Sequence, residues 1–434
     1  MRKYILVTQT FDGIGFCFDK RLEDNGDEVI IAYKNTEDDG ENEEGYDLNG
    51  DGMVKCFPLD KLIAKRDKLR DYYWIWDLNH NCEENQILRD EGFKVFGGQQ
   101  FTYDLENDRE FGIEFAESCG LMSPEHREFT SVEEGISFLE ENEDKAYVYK
   151  PNHEDNCYTT VPNNEEPALA NIEVRRLIKS LGFTDYVLQE RVRGVEVNVE
   201  SFYVNGIPLF TQANLENKKN HNRELGVATG CAFDVCWEID NNCELANMTV
   251  RKFDSRLKEM KYTGFGDANV IISDYNQVNF IEFCFRSGYN AHPNIFTNLS
   301  SQSFLETCAD MIDGTYTPKF KRGFGASITM FCEKAKEGLP VSIPKTLKPT
   351  TYLFFVMKDE DSEEDDDVVM TGYSKEICIA MGHHYDIENA LKDAEENAER
   401  INFSNASYRT DLNSDKYKNN PVSRYRALRS MKII

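Results

Sequence analysis

Four apolar runs in the first hundred residues are each short enough for one strand, and the segments between them are long enough for crossovers. Parallel strands require such crossovers, which are usually helices. We therefore predict an open parallel α/β sheet over residues 1–104, with a helix before Gly26 and a short helix near 84–91. The four runs are KYILVT (3–8), Val29 to Tyr33, YYWIWDL (72–78) and FKVFGG (93–98).

The strand pattern changes after residue 104. The segment YVLQERVRGVEVNVESFYVNGIPLF (186–210) contains a hairpin with an Asn205-Gly206 turn, and ANVIISDYNQVNFIEF (268–283) contains another. Strands that neighbour in sequence and turn tightly pair antiparallel, so this half is a different architecture. We predict a multidomain α/β and α+β chain. Its expected parts are a parallel domain (1–104), a second domain (105–322) with a lid subdomain at about 118–190, and a small C-terminal α+β domain (323–434).

The C-terminal part carries segments of opposite charge. KDEDSEEDDD (358–367) is acidic and is typical of an exposed hairpin tip. DIENALKDAEENAERI (386–401) predicts a helix capped by Asp386, because its apolar residues fall on one stripe. The basic tail KYKNNPVSRYRALRSMKII (416–434) either docks on the acidic body or contacts a polyanion.

Charge and cysteine content exclude several classes of protein. The chain has 78 acidic and 49 basic residues, a net charge of -29 that repels duplex nucleic acid. Twelve cysteines without a CxxC pair, and only seven histidines, argue against a structural zinc site and for a reduced intracellular protein. No apolar run reaches the length of a signal peptide or membrane span. We expect a cytoplasmic protein that does not enter a membrane.

One segment has the residue order of a calcium loop. GYDLNGDGMV (45–54) contains Asp47, Asn49, Asp51 and Gly52 at suitable spacing. The twelfth position of such a loop supplies a bidentate glutamate, and here it is Pro58. The segment is therefore interpreted as a polar turn.

Polar groups interrupt the apolar run NFIEFCFRSGYNAHP (279–293). If the strand continues, Glu282, Cys284 and Arg286 point to one face. One interpretation is a structural ion pair between Glu282 and Arg286. The other is a metal and phosphate site at a strand end. These fifteen residues alone leave both interpretations open.

Four segments, taken in order, resemble the ATP-grasp superfamily and, more narrowly, phosphoribosylamine–glycine ligase. VFGGQQFTYDLENDREF (95–111) resembles the family's VFGPSKAAAQLEGSKAF without a gap, and QERVRGVE (189–196) resembles EEFLEGEE. TGFGDANVIISDYNQVNFIEFCFRSG (263–288) resembles RGVLYAGLMIT followed by VIEFNCRFG. NFSNASYRTDL (402–412) with RAL (426–428) resembles FEGAFYRRDIG and RAL. The likeness extends over nearly the whole chain.

The resemblance implies an ATP-dependent carboxylate–amine ligase. Such an enzyme transfers the γ-phosphoryl group of ATP to a carboxylate, and an amine then attacks the acyl phosphate. The implied cofactors are ATP and Mg²⁺ (or Mn²⁺), because cations must neutralise the triphosphate. The implied partners are a small amino acid, glycine-like, and an amine, bound by a monomer or homodimer.

The resemblance also assigns roles to individual residues. Lys150 matches the phosphate-binding lysine, and Arg286 an arginine that faces the reacting group. Glu282 matches a magnesium ligand, whose second family ligand, Asn, is replaced by Cys284. A thiol is a poor partner for Mg²⁺, for which Asp267 or Asn269 on the paired strand could compensate. The other expected residues are Arg109 (phosphates), Gln189, Glu190, Arg191 and Val192 (adenine), Glu196 (ribose), and Gly13, Gly15, Thr229, Gly230 and Gly288 (substrates).

The chain departs from the family pattern at three places. GGREHAL becomes DGIGFCF (12–18), so Ile14, Gly15 and Phe16 replace the charged phosphate-recognition residues. The glycine-rich lid KADGLAAGKG becomes KPNHEDNCYT (150–159), with Tyr158 in place of lysine. PNTGGMG survives only in VATGCAF (227–233).

These departures leave three functional hypotheses. The first is a ligase whose amine acceptor is not phosphoribosylamine but another amine, such as one linked to a nucleotide, nucleoside or nucleobase. The second is a catalytically inactive binding module with the same fold. The third is a divergent phosphoribosylamine–glycine ligase.

Overall fold

A computed structural model of the protein describes residues 1–9, 26–34, 49–152, 159–162, 164–273, 276–317, 319–362, 364, 367–413 and 420–434. Several sequence expectations lie outside these residues: the first predicted helix, Gly13 to Phe16, the calcium-loop residue Asp47, and Tyr158 of the expected lid.

The described residues form strands and helices throughout the chain. The strands are β1 (Lys3–Gln9), β2 (Glu28–Lys34), β3 (Cys56–Pro58), β4 (Tyr73–Trp76), β5 (Lys94–Phe96), β6 (His126–Phe129), β7 (Tyr147–Pro151), β8 (Tyr186–Glu190), β9 (Val195–Val204), β10 (Ile207–His221), β11 (Leu225–Glu238), β12 (Gly264–Ile272), β13 (Val278–Glu282), β14 (Phe324–Cys332), β15 (Pro340–Val341), β16 (Thr351–Leu353), β17 (Val356–Lys358), β18 (Val368–Met370), β19 (Glu376–His384) and β20 (Ala406–Ser407). The α-helices are α1 (Leu59–Ile63), α2 (Cys82–Asp90), α3 (Gln100–Asn107), α4 (Arg109–Ser118), α5 (Val132–Glu141), α6 (Pro167–Leu181), α7 (Glu244–Met248), α8 (Asp254–Glu259), α9 (Ala291–Asn294), α10 (Phe304–Ile312), α11 (Ile387–Ala398) and α12 (Pro421–Ser430). A π-helical turn, Ile295–Leu299, continues α9.

The N-terminal sheet is parallel, as predicted. Its described strands lie in the order β3-β2-β1-β4-β5, and each neighbouring pair is parallel. The four apolar runs form β1, β2, β4 and β5, and α2 is the short helix expected near 84–91. Strand β3 was not predicted, because all three of its residues are exposed and no apolar run marks them.

The largest sheet is antiparallel, which confirms the predicted change of architecture. Its order is β13-β12-β9-β10-β11-β14-β19-β16, with β20 beside β14. The Asn205-Gly206 turn joins β9 to β10, with φ of 50° and 71°. Positive φ at both central residues suits the right-handed twist of paired strands. Strands β12 and β13 form the second predicted hairpin.

Aromatic side chains join the two sheets. The ring centroid of Phe96 on β5 lies 5.2 Å from that of Phe265 on β12 and 6.0 Å from that of Phe202 on β9. All three rings are buried. The carboxyl end of β5 therefore lies against one face of the antiparallel sheet.

A small sheet lies between the parallel sheet and the largest sheet in the sequence. Strands β6, β8 and β7 pair antiparallel, and α5 and α6 cover them. Phe129, Tyr147 and Tyr186 belong to a hydrophobic cluster of this unit. This sheet corresponds to the expected lid and carries Lys150 on β7, although its boundaries, like those at 104 and 322, stay predictions.

The C-terminal segments fold back onto the largest sheet. Helix α11 begins after Asp386, whose carboxylate accepts a hydrogen bond from the Asn389 amide at 3.1 Å, so the predicted cap is confirmed. The basic tail forms α12 and docks on the body through Arg424, whose Nη2 donates to the Glu216 carbonyl at 3.0 Å. The acidic run joins the antiparallel strands β17 and β18. Among the described residues, no helix is long and apolar enough to span a bilayer.

The cap of α11 provides a test of local stability. Asp386→Ala removes the carboxylate that the first-turn amides use, and loss of such a cap costs about 1 kcal/mol. We expect hydrogen exchange in the first turn of α11 to become about fivefold faster. Asp393→Ala, within the same helix and away from its cap, is the matched control and leaves exchange unchanged. Equal acceleration in both variants would contradict this account.

Candidate functional site

Lys150 lies near the end of β7 and is close enough to Glu282, at the end of β13, for each charge to influence the other. Burial lowers the pKa of Lys150 to about 8, while the negative charge of Glu282 opposes that shift. Arg109 and Lys218 lower it further, and Glu196 raises it. These mutual influences place the five side chains in one region, which we call the charged crevice.

Glu282 ends β13 and forms an ion pair with a residue that the sequence did not indicate. Its Oε1 lies 3.1 Å from Nζ of Lys218, and both side chains are less than half exposed. Lys218 is the main cause that lowers the pKa of Glu282 to about 2, and Lys150 adds to it. Glu282 is therefore ionised at neutral pH.

The structure corrects the geometry expected for Cys284 and Arg286. Strand β13 stops at Glu282, and the Cys284 amide donates to Asp267 Oδ1 at 2.5 Å, so alternation along a strand does not continue. Arg286 pairs with Glu106 on α3, at 3.1 Å between Nε and Oε1. Neither observation supports the structural ion pair between Glu282 and Arg286, because each of these residues has another partner.

Arg109 and Lys218 bring further positive charge to the charged crevice. Arg109 begins α4, and burial lowers its pKa while Glu282 opposes the shift. Lys218 lies near the end of β10, and Glu282 raises its pKa well above the usual value. Sequence reasoning missed Lys218. The available signal was the alternation of polar residues along β10, where Gln212, Asn214, Glu216 and Lys218 share a face.

Two carboxylates of the charged crevice share one amide. Asn269 Nδ2 donates to Glu196 Oε1 at 3.2 Å and to Glu282 Oε1 at 3.4 Å. Mg²⁺ is commonly held by one or two carboxylates together with substrate phosphates, so Glu196 and Glu282 offer suitable oxygen ligands, whereas Asn269 directs its amide nitrogen toward them. No set of three His, Cys, Asp or Glu side chains able to hold a metal occurs among the described residues.

Cys284 and Asp267 do not fit a magnesium site. Burial raises the pKa of the Cys284 thiol well above its usual value, so its sulfur stays protonated. Burial likewise raises the pKa of Asp267. Asp267 also accepts from Asn198 at 2.7 Å and from the Cys284 amide. A thiol is a poor ligand for Mg²⁺, and both Asp267 oxygens already accept hydrogen bonds, so Glu282 is the better candidate for a metal ligand.

The linker after β8 carries the residues expected to contact adenine. The amides of Glu190 and Arg191 donate to the carbonyls of Glu125 and Ala146, each at 2.7 Å. Within the described part of the chain, the Val192 amide has no hydrogen-bond partner. The side chain of Gln189 is buried in β8. Of these amides, Val192 is therefore the one free to contact a ligand.

The candidate substrate residues adjoin Lys218. Thr229 Oγ1 donates to the Lys218 carbonyl at 3.0 Å. Gly230 packs so closely on the Tyr289 ring that an added Cβ would lie 3.0 Å from it, and Gly288 immediately precedes Tyr289. These three predicted positions are thus close to one another. Gly13 and Gly15 lie outside the described residues.

Two C-terminal arginines fix the strand that carries Lys218. Arg409 is fully buried and donates to the Lys219 carbonyl at 3.1 Å. Arg424 donates to the Glu216 carbonyl on the other side of Lys218. The motif resemblance included Arg409 but did not predict this contact, because it links residues 190 positions apart.

Comparison with known proteins gives structural likeness without sequence likeness. No family model matches the chain, and no curated protein matches its sequence. The solved structure of phosphoribosylamine–glycine ligase from Thermotoga maritima superposes with a TM-score of 0.63 at 15% identity, covering 94% of this chain and 99% of that one.

Two other similar structures have different activities. The biotin carboxylase domain of Hydrogenobacter thermophilus 2-oxoglutarate carboxylase, solved with MgADP and bicarbonate, gives a TM-score of 0.61 at 14% identity, covering 100% of this chain and 99% of that one. L-amino acid ligase from Bacillus licheniformis gives 0.53 at 13% identity, covering 93% and 98%. These neighbours are ATP-grasp enzymes, so the predicted ATP-grasp fold is confirmed. Identity at this level establishes the fold alone.

The charged crevice predicts an unusual lysine titration. We expect the Lys150 amine to titrate near pH 8, because burial disfavours its charged form. Glu282→Gln removes a charge that favours the ammonium form, so the pKa of Lys150 falls further. NMR of the reductively ¹³C-methylated protein measures both values.

The matched control is Glu259→Gln, an exposed change on α8. It leaves the Lys150 titration unchanged. A rise in the Lys150 pKa after Glu282→Gln would contradict the proposed arrangement of charges.

Proposed function

We propose that the protein is an ATP-dependent ligase that joins a carboxylate to an amine through an acyl phosphate. One observation carries this proposal: Lys150, Arg109, Lys218 and Glu282 converge in a single charged crevice of an ATP-grasp fold. A chain with net charge -29 attracts a polyphosphate only where cations are concentrated. The charged crevice is such a place.

The cationic side chains would neutralise the nucleotide phosphates. Lys150 on the small sheet and Lys218 on the largest sheet would contact them from two elements, while Arg109 approaches from the start of α4. Arg286 is held against α3 by Glu106, which positions its guanidinium for the reacting carboxylate or phosphoryl group. Fixed charges of this kind stabilise a developing negative charge without reorganisation.

The adenosine would occupy the linker and the start of β9. The unpartnered Val192 amide would donate to the base, and Glu196 would accept from the ribose hydroxyls. Glu282 would hold Mg²⁺ or Mn²⁺ jointly with the phosphates, and Glu196, which shares the Asn269 amide with Glu282, lies within reach of the same ion. When bound, the ion would supply positive charge to the transferring phosphoryl group.

The amine acceptor is proposed to differ from phosphoribosylamine. Ile14, Gly15 and Phe16 replace the charged residues that the resembling family uses for phosphate recognition. Apolar side chains and glycine have no charge with which to pair a ribosyl phosphate. We therefore place a divergent purine-pathway ligase below a ligase for a different amine, with an amino acid such as glycine as the carboxylate donor.

A second candidate function is nucleotide or ligand binding without catalysis. The protonated Cys284 thiol favours it, because this position lacks the oxygen ligand of the resembling family. The two candidate functions differ in whether the protein converts ATP to ADP. An active ligase converts ATP to ADP when supplied with a carboxylic acid and an amine, whereas a binding module does not.

Lys150→Met provides a direct test of nucleotide binding. Loss of one charged hydrogen bond to phosphate costs about 1.5–3 kcal/mol, so we expect affinity for MgATP to fall about 10- to 100-fold. Calorimetry measures the affinity. Lys179→Met, an exposed change at the end of α6, is the control and leaves affinity unchanged.

Coupled assay of ADP release with a panel of amino acids and amines separates the candidate functions. ADP formation that requires both substrates supports the ligase. Retained MgATP binding with no ADP under any condition supports the binding module, and absence of nucleotide binding to the unmodified protein would overturn both.

A further inference from the structure

A set of buried polar side chains lies on the same face of the largest sheet as the charged crevice. Gln212 and Asn214 alternate along β10, Glu200 faces Gln212 on β9, and Asp234 lies diagonally from Asn214 on β11. We call these four residues the polar floor. Each is at most 3% exposed.

The polar floor is held in place by the segment that follows Gly288. Asn294 Nδ2 donates to Asp234 Oδ1 at 3.2 Å, and Ser327 donates to the same oxygen. His292 Nε2 lies 2.6 Å from Glu200 Oε2, to which Gln212 Nε2 also donates. These contacts fix one polar atom of each of three floor residues.

Four other atoms of the polar floor have no hydrogen-bond partner within the described residues. They are Oδ1 and Nδ2 of Asn214, Oδ2 of Asp234 and Oε1 of Gln212. Buried polar groups in native proteins are almost always hydrogen-bonded, so the three such atoms on the diagonal neighbours Asn214 and Asp234 indicate a ligand. Three of the four accept hydrogen bonds, and one donates.

The charges around these atoms indicate the charge of the ligand that they would bind. Burial, with a smaller contribution from the Glu216 carboxylate, raises the pKa of Asp234 to about 7, against the opposing effect of hydrogen bonds from Ser327 and Asn294. No cation is among these influences. A positively charged group with several N–H donors would complement the neighbouring acceptors of Asn214 and Asp234, and an ammonium group has three donors.

The polar floor is continuous with the charged crevice. Glu216 follows Asn214 on the same face of β10 and is partly exposed, and Lys218 comes next. Positions two apart on a strand are separated by about 7 Å. The polar floor therefore adjoins the charged crevice along β10.

We propose that the polar floor binds the ammonium group of a primary amine, with Asn214 Oδ1 and Asp234 Oδ2, which lie on diagonally adjacent positions, as acceptors. This inference rests on the proposed ligase function and deepens it by naming the group that the site recognises. The ammonium group belongs either to the amino-acid donor or to the amine acceptor, which share this chemistry.

The test uses the full chain, saturated with a non-hydrolysable ATP analogue and Mg²⁺, and calorimetry with three probes. Glycine carries an ammonium and a carboxylate, methylamine carries only the ammonium, and acetate carries only the carboxylate. We expect Asn214→Leu and Asp234→Asn to weaken glycine or methylamine binding by about tenfold or more, and to leave acetate and nucleotide binding unchanged. An effect on glycine alone assigns the polar floor to the donor, and an effect on methylamine assigns it to the acceptor.

Matched controls are Asn242→Leu and Asp144→Asn, the same changes at exposed positions. Because Asn214→Leu places an apolar group among buried polar atoms, thermal unfolding checks its folding, and the nearly isosteric Asp234→Asn provides an independent variant. The inference is overturned if folded variants bind both ammonium probes as the unmodified protein does, or if the unmodified protein binds neither.

Failure of the proposed function has a different signature. If the unmodified protein does not bind the ATP analogue, the same probes are titrated without nucleotide. Variant-sensitive amine binding then supports the polar floor by itself, and absence of amine binding overturns it.

Discussion

The charge balance around Glu282 is the interaction on which the charged crevice depends. Lys150, Arg109 and Lys218 come from three different elements, and like charges brought close together repel each other strongly away from bulk water. Glu282 lies among them as an ionised carboxylate, paired with Lys218. Without it, the three cations would have to separate or lose protons. The carboxylate thus allows the chain to keep a concentrated positive site that can receive phosphates.

Packing contacts keep these charges in position. Phe96, Phe202 and Phe265 pack the end of β5 against the largest sheet. Arg409 and Arg424 bind backbone carbonyls on either side of Lys218. A hydrogen bond to a main-chain carbonyl fixes the strand itself, which leaves the Lys218 side chain available to Glu282 and to a ligand.

The residues expected to contact a ligand fall into two groups, those that were predicted from the sequence and those that were missed. Lys150 and Glu282 were predicted from the family resemblance, and in the structure each lies near the end of a strand and influences the charge of the other. Lys218 and the polar floor were missed, because alternating polar residues on a strand usually mark a face turned to solvent. Here the segment from Ser287 to Asn298 covers that face, and such cover depends on residues about ninety positions away, as in the contact of His292 with Glu200.

The sequence by itself determined the four apolar strands of the parallel sheet, the change from parallel to antiparallel pairing, the Asn205-Gly206 turn and the helix after Asp386, since these depend on local periodicity and backbone preference. Only the tertiary structure decided the partners of the charged groups. It joined Glu282 to Lys218 and Arg286 to Glu106, because side chains far apart in sequence meet only after the sheets pack. Burial, which keeps the Cys284 thiol protonated and lowers the pKa of Lys150, is likewise a property of the packed chain and of no single segment.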